Sequence, residues 1–205
     1  MTSTSQPTFA MVCMNNVNRS TAAHESLSAA GLRVCSYGAG KMVAFPGKSR
    51  TDARTFDFLT AYSDMHDTLK NENAALYSNN GVLQILKRNM ALKTAPERWQ
   101  SLNHQQLLNI NIVICLDHAM FLTVLEDIKW RIQQGLKFKQ LHIICLDIVD
   151  TPEEASLGGI CVLELCRLLN VQTTKLTEEF VKKTVEQFEK DNNQKLLYLG
   201  LHTEP

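Results

Sequence analysis

Apolar residues fall along the chain in runs whose spacing switches between strand and helix. Phe9-Ala-Met-Val-Cys13 is a short apolar run that leads through Asn-rich residues into a helical stretch from Arg19 to about Ala30. There Ala22, Ala23, Leu27 and Ala30 sit near helical spacing, and Gly31 marks the stop. Leu32-Arg-Val-Cys-Ser-Tyr37 alternates like a strand and ends at Gly38-Ala-Gly40. Strand, loop, helix, strand is the opening of a parallel α/β sheet.

The pattern is as clear after residue 109. Asn109 to Cys115 reads as a buried strand, with a helix from about Ala119 to Gln134 behind it. Leu141 to Leu146 reads as a second buried strand, followed by the loop Asp147-Ile-Val-Asp150. Pro152, Glu153 and Glu154 open a helix running to about Leu169, since proline and acidic residues suit a first turn. A last amphipathic helix covers about Thr177 to Lys190, and Leu196 to Leu199 is a short strand or a packed tail. Between about 41 and 100 the spacing predicts helices over Phe56–Leu69 and Val82–Arg88 but no strand. That stretch reads as a loop and helical insertion over one edge of the sheet, packed against loops and placed for substrate contact.

At 205 residues the chain is expected to form a single domain with a loose segment 1–7, because domains average about 150 residues and no linker or repeat interrupts it. Lys and Arg number 21 against 21 Asp and Glu, and this zero net charge argues against a broad grip on nucleic acid. No apolar run is long enough to cross a membrane, and the first residues carry no basic segment followed by an apolar core. The six cysteines, 13, 35, 115, 145, 161 and 166, form no Cys-x-x-Cys pair, and the histidines share no spacing with them. Neither a metal site nor any other cofactor is expected, and all of these thiols but Cys13 read as buried free cysteines of a reducing compartment.

Cys13-Met14-Asn15-Asn16-Val17-Asn18-Arg19-Ser20 lies between the first strand and the first helix. Phosphoryl transfer through cysteine needs a thiolate, and a helix N-terminus with nearby cations favours that form. It needs an anion nest, which successive backbone N–H groups of a loop entering a helix supply. It needs a cation for the transition state, and the guanidinium of Arg19 offers a bidentate fork. The Ser20 hydroxyl can bond the sulfur and help it leave. The last need is an acid for the leaving oxygen, and carboxylates at the carboxyl ends of the strands are placed to serve. Asp117, Asp147 and Asp150 qualify. Asp150 is favoured by its reach over the site, and the choice between Asp147 and Asp150 stays open. Asn16 and Asn18 suit the left-handed backbone of such nests, while His24 reads as structural.

These residues resemble the Ssu-type phosphatases of the RNA polymerase II C-terminal domain, within the low-molecular-weight tyrosine phosphatase superfamily. Further matches are Ala23-His24, Ser36-Tyr-Gly-Ala-Gly40, Phe45-Pro46-Gly47, Tyr77-Ser-Asn-Asn-Gly81, Arg88-Asn89, Pro96-Glu-Arg98 and Glu153-Glu-Ala-Ser-Leu-Gly158. The resemblance implies a flavodoxin-like parallel sheet with helices on both faces. It implies a metal-independent phosphatase acting on phosphoserine before a cis proline, with Cys13 as nucleophile, Arg19 as clamp and Asp150 as acid. Pro46, Tyr77, Leu83 and Ile85 would contact the peptide. The implied partners are the phosphorylated polymerase tail and a symplekin-type scaffold of the 3′-end processing machinery, and the implied place is the nucleus. Met14 and Val17 depart from the polar residues expected there.

Three other readings compete. A tyrosine phosphatase fits the insertion poorly, and aromatics at 7% are sparse for walls around a phenyl ring. An arsenate-reductase-like redox enzyme needs a resolving cysteine beside Cys13. An idle phosphopeptide-binding module would not need Cys13, Arg19 and Asp150 together.

Overall fold

The computed structural model of the chain describes residues 6–49 and 51–203. The expectation of a loose N-terminus therefore lies, for residues 1–5, outside what is described. Strand β1 (Thr8–Cys13) is central, with β2 (Arg33–Gly38) and β5 (Ile112–Cys115) parallel on either side. Beyond β5 lies β6 (Leu141–Cys145), also parallel, and then β7 (Leu197–Leu201), giving the order β2-β1-β5-β6-β7. Alternation along β1 splits its side chains between two layers. Phe9, Met11 and Cys13 enter the core beneath α1 (Arg19–Ala29), α6 (Pro152–Leu169) and α7 (Glu178–Asn192). Ala10 and Val12 enter the opposite core with Val124 and Ile128 of α5 (His118–Gln133).

The parallel sheet ends in one antiparallel strand. β7 (Leu197–Leu201) pairs antiparallel with β6, Ile143 opposite Leu199. One crossover helix returns the chain parallel to its start. Two helices, α6 and α7, intervene here, so the chain arrives reversed.

The insertion corrects two expectations. Three-residue strands β3 (Val43–Phe45) and β4 (Arg54–Phe56) pair as a ribbon where the spacing predicts no strand. Phe56 therefore ends a strand, and the helix α2 (Tyr62–Asn79) begins later and runs further than its spacing suggests. Asn73 breaks that helix with φ −163° and ψ 81°, and its Oδ1 accepts from Leu76 N–H at 3.0 Å to start the second piece. Helix α3 (Val82–Leu92) follows, and a 3-10 turn (Trp99–Ser101) and the short α4 (His104–Leu108) lead back to the sheet. The insertion also builds a core of its own. Val43, Phe45, Tyr62, Met65, Leu69, Leu83 and Leu86 pack around Val17, a residue of the loop after β1.

Candidate active site

β1 ends at Cys13 and α1 begins at Arg19, so residues 14–18 wrap at the carboxyl end of the central strand. Cys13 is buried, and its Sγ lies 3.0 Å from Ser20 Oγ. Asn16 sits at the turn with φ 54°, in the left-handed region that asparagine tolerates, and is fully buried. Its Nδ2 donates to Ser20 Oγ and Ser36 Oγ, both at 3.0 Å. Its Oδ1 accepts from Lys93 Nζ at 3.1 Å and from the Glu97 N–H at 3.0 Å. Because Asn16 already donates to Ser20, the serine's own proton is free to reach a sulfur anion.

The insertion secures the outward carbonyls of this loop. Tyr62 donates its hydroxyl to Asn16 O. Val17 O accepts from Asn89 Nδ2 at 2.7 Å and from Arg88 Nη2 at 3.2 Å, and Arg88 also donates to Asn18 O at 3.2 Å. None of the backbone N–H groups of residues 14–18 has a protein partner among the described residues. Carbonyls tied outward and amides left free make an anion nest.

Arg19 is buried and held from behind. Nη1 donates to Leu116 O at 3.1 Å and Ile148 O at 2.9 Å, the chain just after β5 and β6. Nη2 pairs with Asp117 Oδ2 at 2.9 Å and Asp150 Oδ2 at 3.4 Å. Its Nε is buried without a partner among the described residues, which leaves one guanidinium donor uncommitted.

The three candidate acids separate by position. Asp117 caps α5, accepting from the Met120 N–H at 2.8 Å, and braces Arg19. Asp147 is exposed and does not line the cavity over Cys13, whereas Asp150 does. Asp150 Oδ1 also accepts from Asn18 Nδ2 at 2.9 Å.

That cavity holds about 120 Å³ and is lined by Cys13, Asn15 and Asn18 together with Phe45, Pro46, Val82, Ile85 and Pro152. Gly81, with φ 80°, makes the turn into α3 against Pro152, and an added Cβ there would stand 3.2 Å from the proline Cγ. Two expected wall residues are misplaced. Leu83 and Tyr77 are buried in the insertion core and do not line the cavity. Residues two apart on a helix face different ways, so Leu83 and Ile85 could not both reach it. Val82, three before Ile85, takes the place expected of Leu83. Of the two departures, Met14 is exposed while Val17 is buried in the insertion core and also lines the cavity.

Beneath the nest, His24 Nδ1 lies 2.9 Å from Ser36 Oγ. Burial, and then the Lys93 ammonium, push the His24 pKa down to about 4, so the ring is neutral at pH 7. Burial likewise lowers Lys93, against the pull of Glu97, with which it is paired. The other five thiols are all pushed up by burial, Cys35 to about 11 and Cys145 to about 12.

A family model described as Ssu72-like protein matches residues 7–202. The chain belongs to this Ssu72-like family. Among curated relatives it is similar to the SSU72 phosphatase of the RNA polymerase II C-terminal domain from Danio rerio, 36% identical over 189 residues, covering 92% of this chain and 93% of that one. The protein of the same name from Candida glabrata is 38% identical over 167 residues, covering 82% and 79%. Among solved structures, Drosophila melanogaster Ssu72 with Symplekin, bound to a cis peptidomimetic CTD phospho-Ser5 peptide, aligns with TM-score 0.86 at 25% identity, covering 97% and 100%. The Ssu72-like match spans the insertion as well as the sheet. Within it, Tyr62, Asn89 and Lys93 support the nest from up to 77 residues away, roles that no spacing in the sequence assigns to them. The only signal for any of them is the matching Arg88-Asn89 pair.

Proposed function

We propose that this Ssu72-family phosphatase removes phosphate from phosphoserine preceding a cis proline in the C-terminal domain of RNA polymerase II, without a metal, through a phosphocysteine. The nucleus and a symplekin-type scaffold are the setting this reading implies. The observation that carries it is that Cys13, whose Sγ lies 3.0 Å from Ser20 Oγ, and Asp150, which faces Arg19 at 3.4 Å, line one cavity. The free N–H groups of the loop and Arg19 would hold the phosphoryl oxygens. Cys13 sulfur attacks phosphorus as the bond to the serine oxygen breaks, and Asp150 gives that oxygen its proton. Water then attacks the phosphocysteine, returns a proton to Asp150, and the electron pair of the broken S–P bond goes back to sulfur. Pro46, Val82, Ile85 and Pro152 give the apolar walls that a proline ring beside the phosphoserine would require.

The test is phosphate release from a heptad peptide with phosphoserine before proline, beside a phosphotyrosine peptide. Serine activity that survives a metal chelator and vanishes in Cys13→Ser is the expected result. Activity on phosphotyrosine alone would reject the substrate. Asp150→Asn should be slow on the serine peptide, while Asp147→Asn keeps its rate; the reverse pattern would move the acid to Asp147.

A further inference from the structure

We infer that Asn18 is the positioning residue for the proton donor, holding the Asp150 carboxyl group in place. The inference rests on the reading of Asp150 as general acid. Asn18 is the N-cap of α1, a position where asparagine ordinarily accepts a hydrogen bond from an N–H of the first turn. Here it makes no such bond, and its backbone is helical at φ −108° and ψ −78°. Its carboxamide reaches instead across 132 residues of sequence, donating Nδ2–H to Asp150 Oδ1 at 2.9 Å. The other end of that carboxamide, Oδ1, is buried without a partner among the described residues. Asp150 is thus the one group this side chain bonds there.

Two consequences follow for the chemistry. Leaving the helix uncapped keeps its first N–H groups available to an anion. Fixing Asp150 matters because its side chain is 48% exposed on a loop and would otherwise sample several rotamers. A bond to Oδ1 fixes the rotamer of the carboxyl group and turns Oδ2 toward the site. Oδ2 is also the oxygen beside Arg19, 3.4 Å from Nη2, and hence beside the phosphoryl group that Arg19 holds. In the first step the P–O bond breaks with its electron pair on the serine oxygen, which takes the proton from the Asp150 carboxyl group. In the second, the Asp150 carboxylate takes a proton from the attacking water.

The test compares two substrates in four proteins: unaltered, Asn18→Ala, Asp150→Asn and the double variant. Serine is a poor leaving group and needs the acid, whereas the nitrophenolate of p-nitrophenyl phosphate needs little protonation. Asn18→Ala should slow phosphorylation by the phosphoserine peptide about tenfold more than phosphorylation by p-nitrophenyl phosphate, and should add nothing in the Asp150→Asn background. Equal losses on both substrates, or losses that multiply in the double variant, would overturn the inference. The thermal midpoint of Asn18→Ala separates positioning from folding. Asn18 makes no cap bond to lose, so the midpoint should stay close to that of the unaltered protein while the selective defect appears. Rates that fall equally on both substrates, in step with a lowered midpoint, would make Asn18 merely structural. Full peptide activity in Asp150→Asn would instead remove the general-acid reading itself.

Discussion

Asn89, fully buried in α3, donates Nδ2–H to the carbonyl of Val17 at 2.7 Å across 72 residues of sequence. The bond ties the insertion to the nucleophile loop, so the insertion is a splint for the nest as well as a wall of the cavity. Asn89→Ala removes the donor and leaves a small void. It should cost about 1–3 kcal/mol of stability in urea melts, the usual penalty for a lost buried hydrogen bond, and lower kcat/KM with it. Met90→Ala, an exposed neighbour on the same helix, should change neither.

Ser20 accepts from Asn16 and faces the sulfur of Cys13 at 3.0 Å. Its proton is best used when sulfur leaves the phosphocysteine as an anion. Ser20→Ala should therefore slow the second step about tenfold, in line with the loss of a hydrogen bond to a charged group. Rapid mixing with p-nitrophenyl phosphate should show a burst near one equivalent of nitrophenolate, followed by a slower steady rate. A slowed burst with no change in the steady rate would place Ser20 in the first step.

Burial holds Cys35, Cys115, Cys145, Cys161 and Cys166 in the thiol form at neutral pH. A limiting alkylating agent at pH 7 should thus modify one cysteine, Cys13. Mass spectrometry should find a single adduct in the peptide containing that residue, and inorganic phosphate should slow its formation. Prior labelling at Cys161 would show that exposure outweighs burial there.

His142 is fully buried in β6, with Nδ1 2.9 Å from the Tyr198 hydroxyl. Desolvation depresses its pKa to about 4, partly offset by the Leu176 backbone and Glu178. The unfolded chain binds this proton near pH 6.5 and the folded chain does not, so stability falls with pH from about 6.5 to about 4. The loss reaches at most about 3 kcal/mol at the acid end. Denaturant midpoints at pH 7 and pH 4.5 should differ less in His142→Gln than in the unaltered protein.

The parts legible in the sequence are those whose cause is local. Cys13 to Ser20 is contiguous and flanked by a clear strand and helix, and the strands at 109–115 and 141–146 are unbroken apolar runs. β3 and β4 escape because three residues cannot display a period, and their pairing forms across the loop beginning at Pro46-Gly47. The family resemblance assigns Leu83 to the cavity wall, and no pattern in the sequence gives the helix phase that corrects it; the turn at Gly81 sets that phase. Tyr62, Arg88, Asn89 and Asp150, which bond Asn16, Val17 and Asn18, lie 46 to 132 residues away from them, and no spacing rule reaches that far.

Three cations that bond the nest or stand beside it each have a carboxylate partner. Arg19 faces Asp117 and Asp150, Arg88 has Glu25 at 3.8 Å, and Lys93 has Glu97. These three pairs add little long-range attraction for an arriving phosphopeptide, and the chain carries a formal charge of zero. Capture is left to backbone dipoles and the Arg19 guanidinium acting at contact distance, where salt screens little. Encounter proceeds at the unsteered diffusional rate, and KM for the phosphoserine peptide should hold nearly constant from low to high ionic strength. An enzyme so arranged selects its target by shape at the moment of contact, and polyanions in its surroundings compete poorly for its attention.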